Sequence, residues 1–255
     1  MKRPSLHSFF QLMFLLTTSS YAETIIVPIR GDIVFGADAS YITTVEVTNL
    51  DAKPVSVRRG QVFPALLQHP CSDVSAVVIQ PLESADVPTG CIGLYAYTLE
   101  TDGKVRVDAE VLTTRPVPLP VGFTSSSNWQ QFETARAWLP SARLAVIPRV
   151  WIGGSFRTNL FVVNPNDQPI NFELNTIRRS PSEPSQLTAY VLAPRSMSVI
   201  SAPEIDDPVC RLPLVCGPTY RLTFRADAPY YAVSSSVLLL GDAVVGSPSV
   251  VDDPP

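Results

Sequence analysis

The chain has 255 residues and a net charge of −4, from 19 Lys and Arg against 23 Asp and Glu. With 45% hydrophobic and only 16% charged residues, it buries too much apolar surface to be disordered. An acidic balance with no basic block argues against nucleic acid or an anionic membrane surface as partner.

Residues 1–22 read as an export signal. Lys2 and Arg3 form a basic start, FFQLMFLL (Phe9 to Leu16) is a short apolar run, and TTSSYA ends at Ala22, where cleavage is expected. Such a run is too short for a hydrocarbon core that needs about 20 residues, so no membrane insertion is expected once the signal is removed. There is no lipobox cysteine near the cleavage point and no sorting tail after Val251. The expected location is periplasmic or secreted.

Beyond the signal, IIVP (Ile25 to Pro28) opens a strand, and Arg30-Gly31-Asp32 falls inside or at the edge of that strand rather than on a projecting loop. SYITTVEVTNLDAKPVSV (Ser40 to Val57) alternates Tyr41, Thr43, Val45 and Val47 with Ile42, Thr44, Glu46 and Thr48, the pattern of a half-buried strand. Asn49 and Pro54 bracket the turn that follows. An Asn side chain accepts from amides two residues on, and Pro fixes φ where the chain re-enters a strand. Pro81 separates two short apolar strands, and Asp102-Gly103 marks a tight turn between two alternating runs.

The same text then recurs. SFRTNLFVVNPNDQPINF (Ser155 to Phe172) aligns with Ser40–Val57 without a gap, placing Asn164 on Asn49 and Pro169 on Pro54. VLAPRSMSVI (Val191 to Ile200) matches VIQPLESADV (Val78 to Val87), and CGPTYRLTFRADAPYYAVSSSV (Cys216 to Val237) matches CIGLYAYTLETDGKVRVDAEVL (Cys91 to Leu112). The expected fold is all-β: two tandem immunoglobulin-like antiparallel β-sandwiches arising from an internal repeat. The spacing also suits a closed barrel; the sandwich is preferred. Repeat 1 is assigned to 23–122, a linker to 123–139, repeat 2 to 140–248 and a tail to 249–255. In the linker, Ser127 or Asn128 caps a short predicted helix whose face holds Trp129, Phe132 and Ala135. The other reading of that segment is a connector whose aromatics pack the two halves together.

Four cysteines in an exported chain read as disulfides, one per repeat: Cys71 with Cys91 and Cys210 with Cys216. A metal site is the weaker reading, since the pairs lack CxxC spacing and His69 is the one histidine outside the signal. No metal and no cofactor is expected. Nor is a catalytic residue assigned: no base stands beside a nucleophile, and Glu46, Glu83, Asp86, Glu100, Asp102, Asp108 and Glu110 read as the solvent side of strands and turns. Trp129, Phe132, Tyr230 and Tyr231 are the candidate interaction surface.

The pattern of an aromatic, Thr, alternating Val or Leu, Asn and then Pro five residues later resembles tandem immunoglobulin-like modules of bacterial secreted and envelope proteins. That resemblance implies a non-enzymatic protein mediating protein–protein or cell-surface contact. TNLDAKPVSV (Thr48 to Val57) and IQPLESADV (Ile79 to Val87) are similar to segments of periplasmic pilus chaperones, which bind subunits by β-strand addition. That second resemblance implies a basic pair in the cleft between domains. Arg30 is the one position considered for it, and Lys53 and Lys104 are the only lysines outside the signal.

Overall fold

The computed structural model describes residues 23–35, 40–118, 123–151, 156–178, 185–201, 219–238, 243–246 and 248–251. The export signal and the Cys210–Cys216 pair lie outside these residues. The chain is all-β, with antiparallel pairing throughout the described residues. Strands β1 (Glu23–Phe35), β2 (Ser40–Asn49), β3 (Val55–His69), β4 (Val77–Ile79), β5 (Ser84–Asp86), β6 (Ile92–Thr101), β7 (Val105–Pro118) and β8 (Phe123–Phe132) form the first half. The second holds β9 (Leu144–Trp151), β10 (Phe156–Asn164), β11 (Ile170–Arg178), β12 (Gln186–Leu192), β13 (Ser196–Ser201), β14 (Thr219–Ala226), β15 (Tyr231–Leu238), β16 (Ala243–Gly246) and β17 (Ser249–Val251).

In the first half the strand order is β4-β3-β6-β1-β2-β7-β8, with β5 on β2. β1 serves two neighbours in turn: Glu23–Gly31 pairs with β6, and Asp32–Phe35 pairs with β2. The second half has one sheet of order β12-β11-β14-β9-β17 and another of order β13-β10-β15-β16. Adding eight to each strand number converts β4-β3-β6-β1 and β5-β2-β7-β8 into β12-β11-β14-β9 and β13-β10-β15-β16.

Period-two patterning decides which side of each strand is covered. In β2, Thr43, Val45 and Val47 are buried while Ile42, Thr44 and Glu46 are exposed. β10 departs from this pattern. Leu160 and Val162 are buried on one face, and Phe161 and Val163 are equally buried on the other. The second face carries Tyr231 and Val233 of β15 beside Phe161 and Val163, with Met197 of β13 across from Val163. Ser235 on the same face donates to Gln130 Oε1 of β8 at 2.7 Å. β13 lies against β3 and β6, β16 against β8, and β1 approaches β10 and β15. The halves therefore share an apolar interface, and the buried hydrophobic residues form one cluster through both. Each fully buried Val, Leu, Ile, Phe or Met of this cluster contributes about 1.5–3 kcal/mol by removal from water.

The segment around Trp129 is a strand, not a helix. β8 pairs with β7 from Ala109↔Phe132 to Pro118↔Phe123, with Trp129 opposite Leu112. Helix propensity over SSSNWQQF is weak, and an open edge on β7 supplies cross-strand bonds that a short isolated helix lacks. The connector is the stretch after β8, and it is tied to both halves. Ala135 exchanges backbone hydrogen bonds with Ile26 (2.6 and 3.0 Å), and Leu139 does so with Tyr230 (2.7 and 3.2 Å). Arg136 pairs with Glu23 and donates to the Val105 carbonyl at 2.9 Å. Trp138 meets Phe63 edge-on at 5.6 Å. The assigned tail is also partly structural, since β17 adds to β9 through Ser249↔Val146 and Val251↔Leu144.

Candidate interaction surfaces

The repeated Asn residues are anchors inside the fold. Asn49 is fully buried, and its Nδ2 donates to the carbonyls of Lys53 (2.8 Å) and Ile79 (2.9 Å), while Oδ1 accepts from the Asp51 amide at 2.7 Å. Asn164 does the same at the end of β10. Its Nδ2 donates to Gln168 (3.0 Å), Leu192 (3.3 Å) and Ala193 (2.9 Å), and Oδ1 accepts from the Asn166 amide at 2.9 Å. Each side chain thus closes the turn after its strand and fastens that turn to the end of β4 or β12. Pro54 and Pro169 are exposed at the ends of these turns. The residues after Pro81 and Pro194 also match in backbone: Leu82 has φ 63° and Arg195 φ 45°, both in the left-handed region.

The structure contains the Cys71–Cys91 disulfide, which closes the loop between β3 and β6. Arg59 lies beneath that loop, donating to the Ser72 carbonyl at 2.9 Å and to the Thr89 carbonyl. Gly90 (φ +65°) is required there, because a Cβ would sit 2.5 Å from the Ser72 carbonyl oxygen. His69 is exposed at the end of β3.

Of the four aromatic residues assigned to an interaction surface, the structure exposes one. Trp129 is 53% exposed, whereas Phe132, Tyr230 and Tyr231 are in the core. Tyr230 stacks edge-on against Phe172 (5.7 Å) and Phe224 (6.1 Å), and Tyr231 belongs to the covered interface between the halves. The dipeptide carries no signal of this, because two adjacent strand residues face opposite ways and each face happens to be buried.

Burial pushes the Tyr231 phenol up to about 12, with the Glu133 carboxylate adding to the shift, and pushes Tyr230 higher still. Both phenols are raised above the free value of about 10, so their neutral forms belong to the folded state. Stability from this source is complete below about pH 10 and is lost as pH rises from there through the folded values. Thermal melts across that window should show a decline that Tyr231→Phe makes shallower. An unchanged slope in the variant would contradict the burial of Tyr231.

Arg30 is nine-tenths buried and lies 3.5 Å from Asp86, while Gly31 donates to Thr43 Oγ1 at 2.8 Å. Arg30-Gly31-Asp32 is therefore strand, as the sequence indicates. Lys53 is exposed in the β2–β3 turn, and the Lys104 amide is held by Asp51 at 2.8 Å, so neither lysine lies beside Arg30. Several carboxylates considered above hold local structure: Asp102 Oδ1 accepts from the Ser56 amide (2.8 Å), Glu100 pairs with Arg58 (2.6 Å) and Asp108 with Arg106 (2.8 Å). Among the described residues no group of three or more His, Cys, Asp or Glu side chains is placed to hold a metal ion.

Two surfaces remain. The first is β12, whose sole strand partner among the described residues is β11. Among the described residues no strand pairs with its other edge, and its outward side chains are Leu187 (67% exposed), Ala189 and Val191 (73% exposed). The sequence signal for it is QLTAYVL, which places apolar residues on both parities of a seven-residue strand. The second is the outward face of β2, β7 and β8. Cross-strand register aligns Ile42, Leu112 and Trp129 in one row, Thr44, Glu110 and Gln131 in the next, and Glu46 with Asp108 in a third, where Asp86 of β5 joins. Where β8 leaves β7, a cleft of about 510 Å³ opens between Asp108, Gln131, Phe132 and Glu133.

No family model and no curated protein matches this chain. One solved structure, described as the crystal structure of Thermotoga maritima 1070, is similar over 44% of this chain and 94% of its own, at 12% identity and a TM-score of 0.33.

Proposed function

We propose that this is an exported, non-enzymatic bacterial protein made of two tandem immunoglobulin-like sandwiches, and that it mediates protein–protein contact at the cell envelope. Support for the repeat comes from the recurring strand order and the two equivalent Asn anchors. Support for export comes from the basic and apolar start of the chain and the disulfide. The observation that carries the contact role is β12. A seven-residue edge with no second strand partner among the described residues and three outward apolar side chains is a liability for a protein that stays alone, and it is the feature that β-strand addition uses. An extended partner segment would gain ladder hydrogen bonds from β12 while its alternate side chains cover Leu187, Ala189 and Val191.

The pilus-chaperone reading uses the same edge chemistry and also requires a facing basic pair. Arg30 is committed to Asp86 on the first half, so that reading draws less support.

The test is capture of partners from the native envelope fraction by the chain from Glu23 to Pro255, alongside Leu187→Lys/Val191→Lys. Both positions are exposed, so thermal stability should change by no more than about 0.5 kcal/mol. A stoichiometric partner held by the parent and lost with the lysine pair is expected. A partner retained equally by both would overturn the role of β12, and no partner with either would overturn the contact function.

A further inference from the structure

We propose that the outward face of β2, β7 and β8, with the adjoining cleft, binds a cationic extended segment of a protein. This inference rests on the contact function above and specifies the chemistry of a partner at a site separate from β12. Three features of this face converge. Neighbouring strands lie about 4.8 Å apart, so the Ile42–Leu112–Trp129 row is a continuous apolar strip in which Ile42 is 40% and Trp129 53% exposed. Beside it stand Glu110, then Asp86, Glu46 and Asp108 on adjacent strands, and Glu133 just past β8. Among the described residues of the face, Arg106 is the exposed cation set against these five carboxylates, with Arg30 reaching Asp86 from the buried side.

Like charges directly opposite one another weaken a sheet, and Glu46 faces a carboxylate on each neighbouring strand. Arg106 offsets part of this repulsion at Asp108 and Arg30 part of it at Asp86, and a bound cation would add to that offset. The cleft supplies the place. Pairing of β8 with β7 starts at Ala109↔Phe132, which leaves the edge of β7 uncovered at Asp108 and opens the space that Asp108 and Glu133 flank. A Lys or Arg side chain entering it would meet both carboxylates and the Gln131 amide. The aliphatic stem or an apolar neighbour of that cation would lie on Trp129, whose ring also attracts cations. A second copy of this chain is a poor occupant, because it would bring one acidic surface against another.

The test is fluorescence anisotropy of a labelled octapeptide alternating Arg and Leu, titrated with the chain from Glu23 to Pro255. Saturable binding is expected, weakening about tenfold between roughly 0.02 and 0.3 M salt. Asp108→Asn/Glu133→Gln should weaken it about tenfold and Trp129→Ala about fivefold; the Arg106–Asp108 pair lost in the double variant is solvent-exposed, so thermal melts should shift only slightly. The β12 variant Leu187→Lys/Val191→Lys should bind as the parent does. Absence of saturable binding, equal binding of the Glu–Leu counterpart, insensitivity to these substitutions, or displacement by the neutral chitohexaose would overturn the inference. Weakening by the β12 substitutions alone would also overturn it while leaving the contact function standing. Failure of this peptide together with failure of envelope capture would remove both.

Discussion

Asn164→Ala is expected to destabilise the chain by about 3 kcal/mol, measured by urea unfolding. The side chain is fully buried; its two Nδ2 hydrogens are shared among three carbonyls, the Leu192 contact being the longest at 3.3 Å, while Oδ1 accepts from the Asn166 amide and, at 2.8 Å, from Asn166 Nδ2. Net hydrogen bonds contribute about 1 kcal/mol each, but buried partners left without a bond cost about 1–3 kcal/mol. The loss also spreads: Asn166 Nδ2 bonds the Pro229 carbonyl at 2.7 Å, so the β10–β11 turn and the turn before β15 move together. Asn164→Asp should be no better than alanine, because a carboxylate cannot donate to carbonyls and carries its charge into the core. Asn49→Ala should cost somewhat less, about 2 kcal/mol, since its Oδ1 accepts one bond where that of Asn164 accepts two. A change under about 0.5 kcal/mol at both positions would show that the repeated Asn is a turn residue and not an anchor.

Tyr230→Ala is expected to cost about 3–5 kcal/mol. Its ring is wholly buried among Phe172, Phe224 and their neighbours, where edge-on pairs add to the area removed from water. Tyr230→Phe keeps the ring and loses the bond from Oη to the Phe224 carbonyl (3.3 Å), so it should cost about 1 kcal/mol. The contrast between the two variants is the informative quantity. If alanine were tolerated within about 1 kcal/mol, Tyr230 would be a surface residue and the aromatic cluster would not be the core.

How far the sequence carries this account depends on what kind of information each feature needs. The strands around Asn49 and Asn164 are legible because alternation and a turn signature are local. Their bonding to Ile79 and to Leu192 with Ala193 is not, since those acceptors arrive from strands roughly thirty residues away. Cys71–Cys91 follows from pairing within a repeat. The predicted helix at Trp129 is strand β8 because the open edge of β7 outweighs a weak local preference. Tyr230 and Tyr231 illustrate a different gap. Their burial on opposite faces depends on the packing of the two halves against each other, which no single-strand pattern encodes. The Ile42–Leu112–Trp129 row needs two cross-strand registers, and the exposure of β12 needs its place at the end of the sheet order among the described residues.

We propose β12 as the place where this scaffold meets its partner. Backbone hydrogen exchange of the chain from Glu23 to Pro255, alone and saturated with its captured envelope partner, tests it most directly. Amides on the outer edge of Gln186–Leu192 should exchange quickly in the free chain and become protected on binding, as new ladder hydrogen bonds form. Protection confined to other strands, with β12 exchanging equally fast in both states, would contradict it.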